Sequence, residues 1–361
     1  SLTITGNSTF NFNRAEGGDG GVQGQAGNAA GTDLFMMKNS TVTIRPGTTL
    51  VSGEVIDNVV TFNGSIADDS KASYEGASNA TGNGADITIA GPGRVVFNGT
   101  NTYTGKTIIT GGTLDADIGT GIHEKSNITF AGAGETTGGA SDLSDATAGV
   151  LMTHGDFNRQ VGTLSNRVQW TGSGGFAAQG GQLRVNLGGT STPQTLKWGA
   201  TTGFFSDADA ANAALVFGSI YADADVLFKN NIDLNGGSRQ VVVVDNSASE
   251  NDFATISGVI SDSAGGGKLV VGSPNGYGGL GKLVLTGNNT YAGGTEVLSG
   301  ILVTMAGKEG QSGVLADTGA IAVGGSGSLW LMAKDTVGDI DNAGLTIIGA
   351  DIVAGSVDNN G

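Results

Sequence analysis

Two stretches of this chain repeat one another. Gly281–Val303 reads GKLVLTGNNTYAGGTEVLSGILV, Gly93–Asp115 reads GRVVFNGTNTYTGKTIITGGTLD, and they align without a gap. Gly99, Asn101, Thr102, Tyr103, Gly105, Thr107, Gly112 and Leu114 recur as Gly287, Asn289, Thr290, Tyr291, Gly293, Thr295, Gly300 and Leu302. A self-similar unit of about 20–29 residues is the mark of a solenoid, because one unit cannot bury its own apolar side and needs neighbours to complete it.

Each copy reads as strand, turn, strand. Val95–Phe97 and Leu283–Leu285 are apolar, β-prone runs bounded by Asn-Gly, Thr-Gly and Gly-Gly, the punctuation of short strands. A polar Asn-Thr-Tyr segment ends in Gly. A second strand follows, Thr107–Thr110 or Thr295–Leu298, and a Gly corner leads to a third. Three short strands in about 22 residues match one coil of a parallel β-helix, each coil lying on the next at roughly 4.8 Å. Asn101 and Tyr103 are read as hydrogen-bonding the coil corner. The expected fold is all-β, a right-handed parallel β-helix running through residues 1–361 as one unit with loop insertions.

Composition agrees. The 361 residues include 66 glycines and only 4 prolines, with no three-residue period, so collagen is out. Apolar residues make up 38%, too many for a disordered chain and enough for a long, thin core. Roughly 15–18 coils would make a rod on the order of 75 Å long. The formal charge of −16 repels phosphate backbones and anionic lipids; with no Lys/Arg cluster to offset it, nucleic acid is not an expected partner. The charge suits weak Ca²⁺ binding; no other cofactor is expected. There is no cysteine, hence no disulfide framework and no Cys-based metal site. No apolar run approaches the length of a membrane-spanning helix, so direct membrane insertion of this segment is not expected. Ser1 starts inside a strand-like segment, so the expectation is a piece excised or processed from something longer.

Along the chain, Ser1–Asn13 alternates apolar and polar residues and reads as a strand pair around Gly6-Asn7. Insertions off the rod are expected near 14–32, 67–85 and 132–148. Leu183, Val185 and Leu187 share one strand face. Val241–Val244 is apolar at every residue, so both its faces are covered or a loop presses on it. Phe204–Ala214 is the best stretch for a short helix.

Five motifs hint at chemistry. Gly99–Thr107 (GTNTYTGKT) looks like a phosphate-binding loop, but its spacing is one residue too long, the second copy has Gly294 in place of Lys106, and a strand rather than a helix follows. Gly189–Pro193 (GTSTP) offers Ser191 as a nucleophile, yet the only histidines, His123 and His154, lie in contexts unlike a protease triad. Asp68-Asp69, Asp115/Asp117, Asp207/Asp209 and Asp223/Asp225 are paired acids. The period-two pairs put both carboxylates on one strand face, a geometry for acid–base work or Ca²⁺ and equally for a solvated face. Gly17–Gly21 (GGDGG) lacks a Ca²⁺-binding tandem nonapeptide. Trp170, Trp198 and Trp330 serve a sugar platform or pack under loops.

The pattern apolar-x-apolar-x-G-x-N-T-Y-x-G-x-T-x-apolar-x-x-G-x-L resembles the autotransporter-associated β-strand repeat of bacterial passenger domains. Gln169–Gly175, Gly180–Gly189, Leu215–Ser219, Ile232–Arg239 and Ile256–Ile260 resemble the longer form of that family. The resemblance covers about two thirds of the chain. It implies an extracellular or cell-surface location, and scarce cysteine fits passage of an unfolded passenger across the periplasm and outer membrane. It implies a stalk more than an activity. The leading expectation is a structural or adhesive segment that mediates attachment, to a host or cell-surface glycan or protein, or self-association. An extracellular fibre subunit and a polysaccharide-acting enzyme are the alternatives; no catalytic residue is assigned.

Overall fold

The computed structural model describes residues 1–14, 16, 29–70, 84–133, 135–137, 140–189, 192–206, 213–307, 314–316 and 318–360. The described residues are all-β, with no helix among them.

The strands pair mainly in parallel, each with partners earlier and later in sequence. One ladder climbs from Leu2–Thr5 through Thr41–Arg45, Asp86–Ile89, Thr107–Ile109 and Ile128–Phe130 to Arg167–Trp170. A second climbs from Ser8–Phe10 through Val59–Phe62, Arg94–Phe97, Thr113–Ala116 and Gly149–Phe157 to Gly174–Val185. From that long strand one branch continues through Leu215–Gly218, Ser238–Val244 and Lys268–Val271. The other continues through Val226–Phe228, Ala254–Ile256 and Lys282–Leu285. Both meet in Thr295–Thr304, which pairs with Ile321–Leu331. Because the long strands serve two ladders, this hydrogen-bonded network closes on itself.

The register follows from the apolar period. Val60, Val95, Leu114, Leu151, Phe176, Phe217 and Val243 are successive ladder partners, and all are buried. Ile44, Ile89, Ile109, Phe130 and Trp170 form a second such column. A one-residue slip would turn a whole column outward, so the pattern fixes the pairing. The columns meet in an aromatic centre: Phe130 lies 5.1 Å from Trp170 and 5.3 Å from Phe176, and Trp198 stacks on Phe205 at 4.2 Å.

The two repeat copies sit on the ladders in the same way. In the first, Arg94–Phe97, Thr107–Ile109 and Thr113–Ala116 are separate strands. In the second, the last two merge into Thr295–Thr304, with a register shift between Val297 and Ser299. Both copies turn on a glycine in the left-handed region, Gly112 at φ 73° and Gly300 at φ 75°. A Cβ there would lie 2.7 Å from the Gly93 carbonyl oxygen or 2.8 Å from that of Gly281, so the turn needs glycine for its backbone angle and for its closeness.

Other segments depart from the sequence reading. Leu2–Thr5 and Ser8–Phe10 do not pair as a hairpin; each joins a different parallel ladder, where Phe10 stacks on Phe62 at 4.5 Å. Parallel neighbours outcompete the hairpin because they also bury the aromatic. Within 67–85, Ile66–Asp68 is a buried strand, and 71–83 lies outside the described residues. Within 132–148, Glu135–Thr137 pairs antiparallel with Ala140–Asp142. Most of 14–32, including 17–21, and the central part of the stretch read as a helix, 207–212, also lie outside them.

Val241–Val244 is covered on both faces. Val241 and Val243 join the main core, while Val242 and Val244 join a second cluster with Leu143, Val150, Met152 and Val216, against which Tyr221 and Tyr277 pack.

Phe130→Ala should cost about 3–5 kcal/mol, as aromatic truncation in a close-packed core does. Leu50→Ala, on a side chain 70% exposed, should stay within about 0.5 kcal/mol. Urea unfolding followed by tryptophan fluorescence checks both; a small cost at Phe130 would contradict the packing described here.

Candidate functional site

The residues that recur between the copies converge on the corner that precedes the second strand. There the ladder is interrupted and backbone groups need other partners. Asn101 supplies them: its Oδ1 accepts from the Ile66 N–H at 2.6 Å, and its Nδ2 donates to the Gly121 carbonyl at 2.7 Å. Asn289 does the same, accepting from the Ile260 N–H at 2.7 Å and donating to the Val314 carbonyl at 2.6 Å. Each amide therefore joins the chain segment below it to the one above. Thr102 and Thr290 add backbone bonds to the Ile66 and Ile260 carbonyls, both 2.9 Å.

Tyr103 and Tyr291 are fully buried. Their hydroxyls pair with Thr107 Oγ1 at 2.7 Å and Thr295 Oγ1 at 2.6 Å. Burial pushes both phenols well above their ordinary pKa, since the ionised form would lose its hydration. In the first copy the chain extends: Thr107 Oγ1 pairs with Ser126 Oγ at 2.9 Å, which donates to the Gly105 carbonyl at 2.6 Å. Arg159 lies beneath, donating to the Ser126 and His123 carbonyls; its desolvation lowers its pKa to about 10. Gly99 and Gly287 pass so close to the neighbouring chain that a Cβ would sit 2.0 Å from the Gly64 oxygen or 2.4 Å from the Gly258 oxygen. Gly105 and Gly293 are as close, at 2.1 Å from the Ala85 oxygen and 2.2 Å from the Gly266 oxygen.

Asp68 belongs to this corner too, although the sequence reading placed it in an insertion. Its buried carboxylate accepts from the N–H groups of Ser70, Ala85 and Thr104. Asp262 accepts from those of Gly236 and Gly267. Each stands two residues after the isoleucine that bonds the repeat asparagine, and that shared offset is the signal that could have found them.

The other motif residues scatter. Lys106 is exposed, and its N–H donates to Asp86. His154 Nδ1 lies 3.3 Å from Asp117 Oδ1 on the surface; burial lowers the pKa of His123. Ser191 lies outside the described residues, as do Asp207 and Asp209. Asp115 pairs with Arg94. Asp223 accepts from the Gly180 N–H at 2.6 Å and Asp225 from Gln182 Nε2 at 2.8 Å, so each carboxylate ties down the adjoining strand. Trp170 and Trp198 are fully buried, which removes them from any sugar platform. Among the described residues no group of three or more His, Cys, Asp or Glu is placed to hold a metal, and none of their helices is long and apolar enough to cross a membrane.

Comparison with known proteins fits this geometry. Residues 87–116 and 278–303 match the passenger-associated-transport-repeat family, the two segments that carry the asparagine corners. The chain is 28% identical over 353 residues to the Adhesin BmaC autotransporter of Brucella suis biovar 1 (strain 1330), an alignment covering 77% of this chain. It spans only 10% of that protein's length. No solved structure matches.

Asn101→Ala would leave the Ile66 N–H and Gly121 carbonyl without partners, at about 1–3 kcal/mol for each group; Asn289→Ala should behave alike. The raised tyrosines have a pH consequence. Their stabilisation is intact below the unfolded phenol pKa of about 10 and falls as pH rises above it, because only the unfolded chain ionises there. Tyr103→Phe with Tyr291→Phe should flatten that alkaline loss in urea midpoints measured from pH 8 to 11.5; an unchanged slope would contradict it. Two segments of the chain thus resemble passenger-associated transport repeats, and most of its length is similar to part of an autotransporter adhesin.

Proposed function

We propose that this segment is a right-handed parallel β-helix that serves as an extracellular stalk, holding an adhesive surface away from a bacterial cell. The observation that carries the reading is the pair of equivalent asparagine corners on parallel ladders, in segments that match a passenger-associated repeat. Right-handedness follows from strand twist, which sets the hand of nearly all parallel crossovers. About thirteen ladder levels at roughly 4.8 Å give a stack near 60 Å tall; the insertions consume the residues that would have made it taller. In this reading Gly99, Asn101, Thr102, Tyr103, Gly105 and Thr107, with Gly287, Asn289, Thr290, Tyr291, Gly293 and Thr295, are structural. They let one coil lie on the next at backbone contact.

A non-enzymatic role is supported by the engagement of Asp223 and Asp225 with neighbouring strands and by the adhesin description of the relative. The adhesive partner in this proposal is a host or cell-surface glycan or protein, or another copy of the chain.

In-frame deletion of residues 1–361 from the longer surface protein, with display of the remainder verified by antibody, tests the proposal. Attachment of the bacteria, or the reach of the surface structure, should fall. Unchanged attachment together with unchanged surface architecture would overturn it.

A further inference from the structure

Away from the repeat corners, four excursions of the chain meet on one side of the stack. One is the antiparallel hairpin Thr48–Val51/Glu54–Asp57, which carries Leu50, Val51, Val55 and Ile56 exposed. The others are the segment Leu143–Ala148 and the turns at Ser219–Tyr221 and Ser273–Tyr277. They cover the second apolar cluster and are joined by side chains remote in sequence. Tyr221 donates its hydroxyl to Asp57 Oδ2 at 2.8 Å. Tyr277 donates to Asp145 Oδ1 at 2.9 Å. Asn275 Nδ2 donates to the Leu143 carbonyl at 2.8 Å, and Thr113 Oγ1 pairs with Ser219 Oγ at 2.7 Å.

Asp57, Asp145, Tyr221 and Tyr277 line one cavity of about 10 Å³, room for a single water. Two carboxylates thus border the same small, half-buried cavity. Arg94 lies over the Tyr221 ring at 5.4 Å, but its guanidinium is bonded to Asp115 and Gln179 rather than to either carboxylate. Each carboxylate has a phenol as donor, and a phenol brings no positive charge.

We propose that Asp57 and Asp145 form an acid-closed latch that fastens the exposed hairpin to the side of the stack and loosens as the pH rises. With Asp145 protonated, the repulsion from the Asp57 charge is gone and both tyrosine bonds remain. With Asp145 ionised, two charges oppose each other at a half-buried cavity. Burial, and after it the neighbouring Asp57 charge, raise the pKa of Asp145, with the Tyr277 bond opposing. Burial and the carboxylates likewise hold Tyr221 and Tyr277 neutral far into alkali, so the tyrosines do not titrate in this range. The sign follows from linkage. A carboxyl raised in the folded state contributes stability fully present below its unfolded value near 3.9, and that contribution is lost as pH rises through its folded value.

Hydrogen exchange of the hairpin amides, corrected for intrinsic rates and read from pH 4.5 to 7.5 on the whole chain, tests the latch. Hairpin protection should fall severalfold with rising pH, while protection of the Arg94–Phe97 strand stays level. Asp145→Asn keeps an oxygen for Tyr277 and removes the charge, so its hairpin protection should not vary with pH. Equal hairpin protection across the range in the unsubstituted chain would overturn the proposal. So would a full pH dependence persisting in a folded Asp145→Asn. If that variant does not fold, Asp57→Asn serves in its place, and the unsubstituted chain alone still decides.

Discussion

A stack of parallel strands can satisfy its backbone along the straight runs, but at each corner the ladder stops. Buried N–H and C=O groups there cost about 1–3 kcal/mol each if left unpaired. The repeats meet this with an amide side chain, which carries both an acceptor and a donor. Asn101 receives from the segment below and gives to the segment above, and Asn289 repeats the arrangement. A hydroxyl can also do both, but from a single atom, whereas the amide reaches two backbones from two separate atoms. The close glycines at 99 and 287 follow from the same requirement, because the amide reaches both neighbours only where the backbones touch.

Much of the strand layout was legible in the sequence. Val95–Phe97, Thr107–Thr110 and Leu283–Leu285 fall on strands Arg94–Phe97, Thr107–Ile109 and Lys282–Leu285 where the apolar runs place them, since short β-prone runs bounded by glycine turns write themselves directly into residue order. The double-sided burial of Val241–Val244 was legible because every residue there is apolar. Partner choice was not. Ser8–Phe10 pairs with a strand some fifty positions away rather than with its neighbour, a preference set by the fit of Phe10 on Phe62 that no local pattern encodes. At the repeat corner, the recurrence of Asn and Tyr was visible in the residues, but the groups the asparagines reach, Ile66 and Gly121 or Ile260 and Val314, lie outside the repeated window. Asp68 was hidden because it stands at the edge of a polar stretch and resembles the solvated acids beside it.

The lateral cluster shows the other side of this economy. Inside the stack, amides and hydroxyls share the bonding with a few buried carboxylates, such as Asp68 and Asp335, that accept from backbone N–H groups. At the tie between the hairpin base and the Leu143–Ala148 segment, two carboxylates and two phenols border one small cavity instead. A structure spread along an axis has few long-range contacts between distant levels, so cross-links such as Tyr221 to Asp57 are among the few that join parts well separated in sequence.

The axial arrangement is open to one direct measurement. The chain has no native cysteine, so nitroxide labels can be placed at Thr9→Cys and Asp341→Cys, both exposed and near opposite ends of the ladders. Eleven or so levels at about 4.8 Å separate them. Double electron–electron resonance should give a single distance near 50 Å. A distance near 20 Å would mean that the ladders curl back on themselves instead of rising, and would contradict the stack.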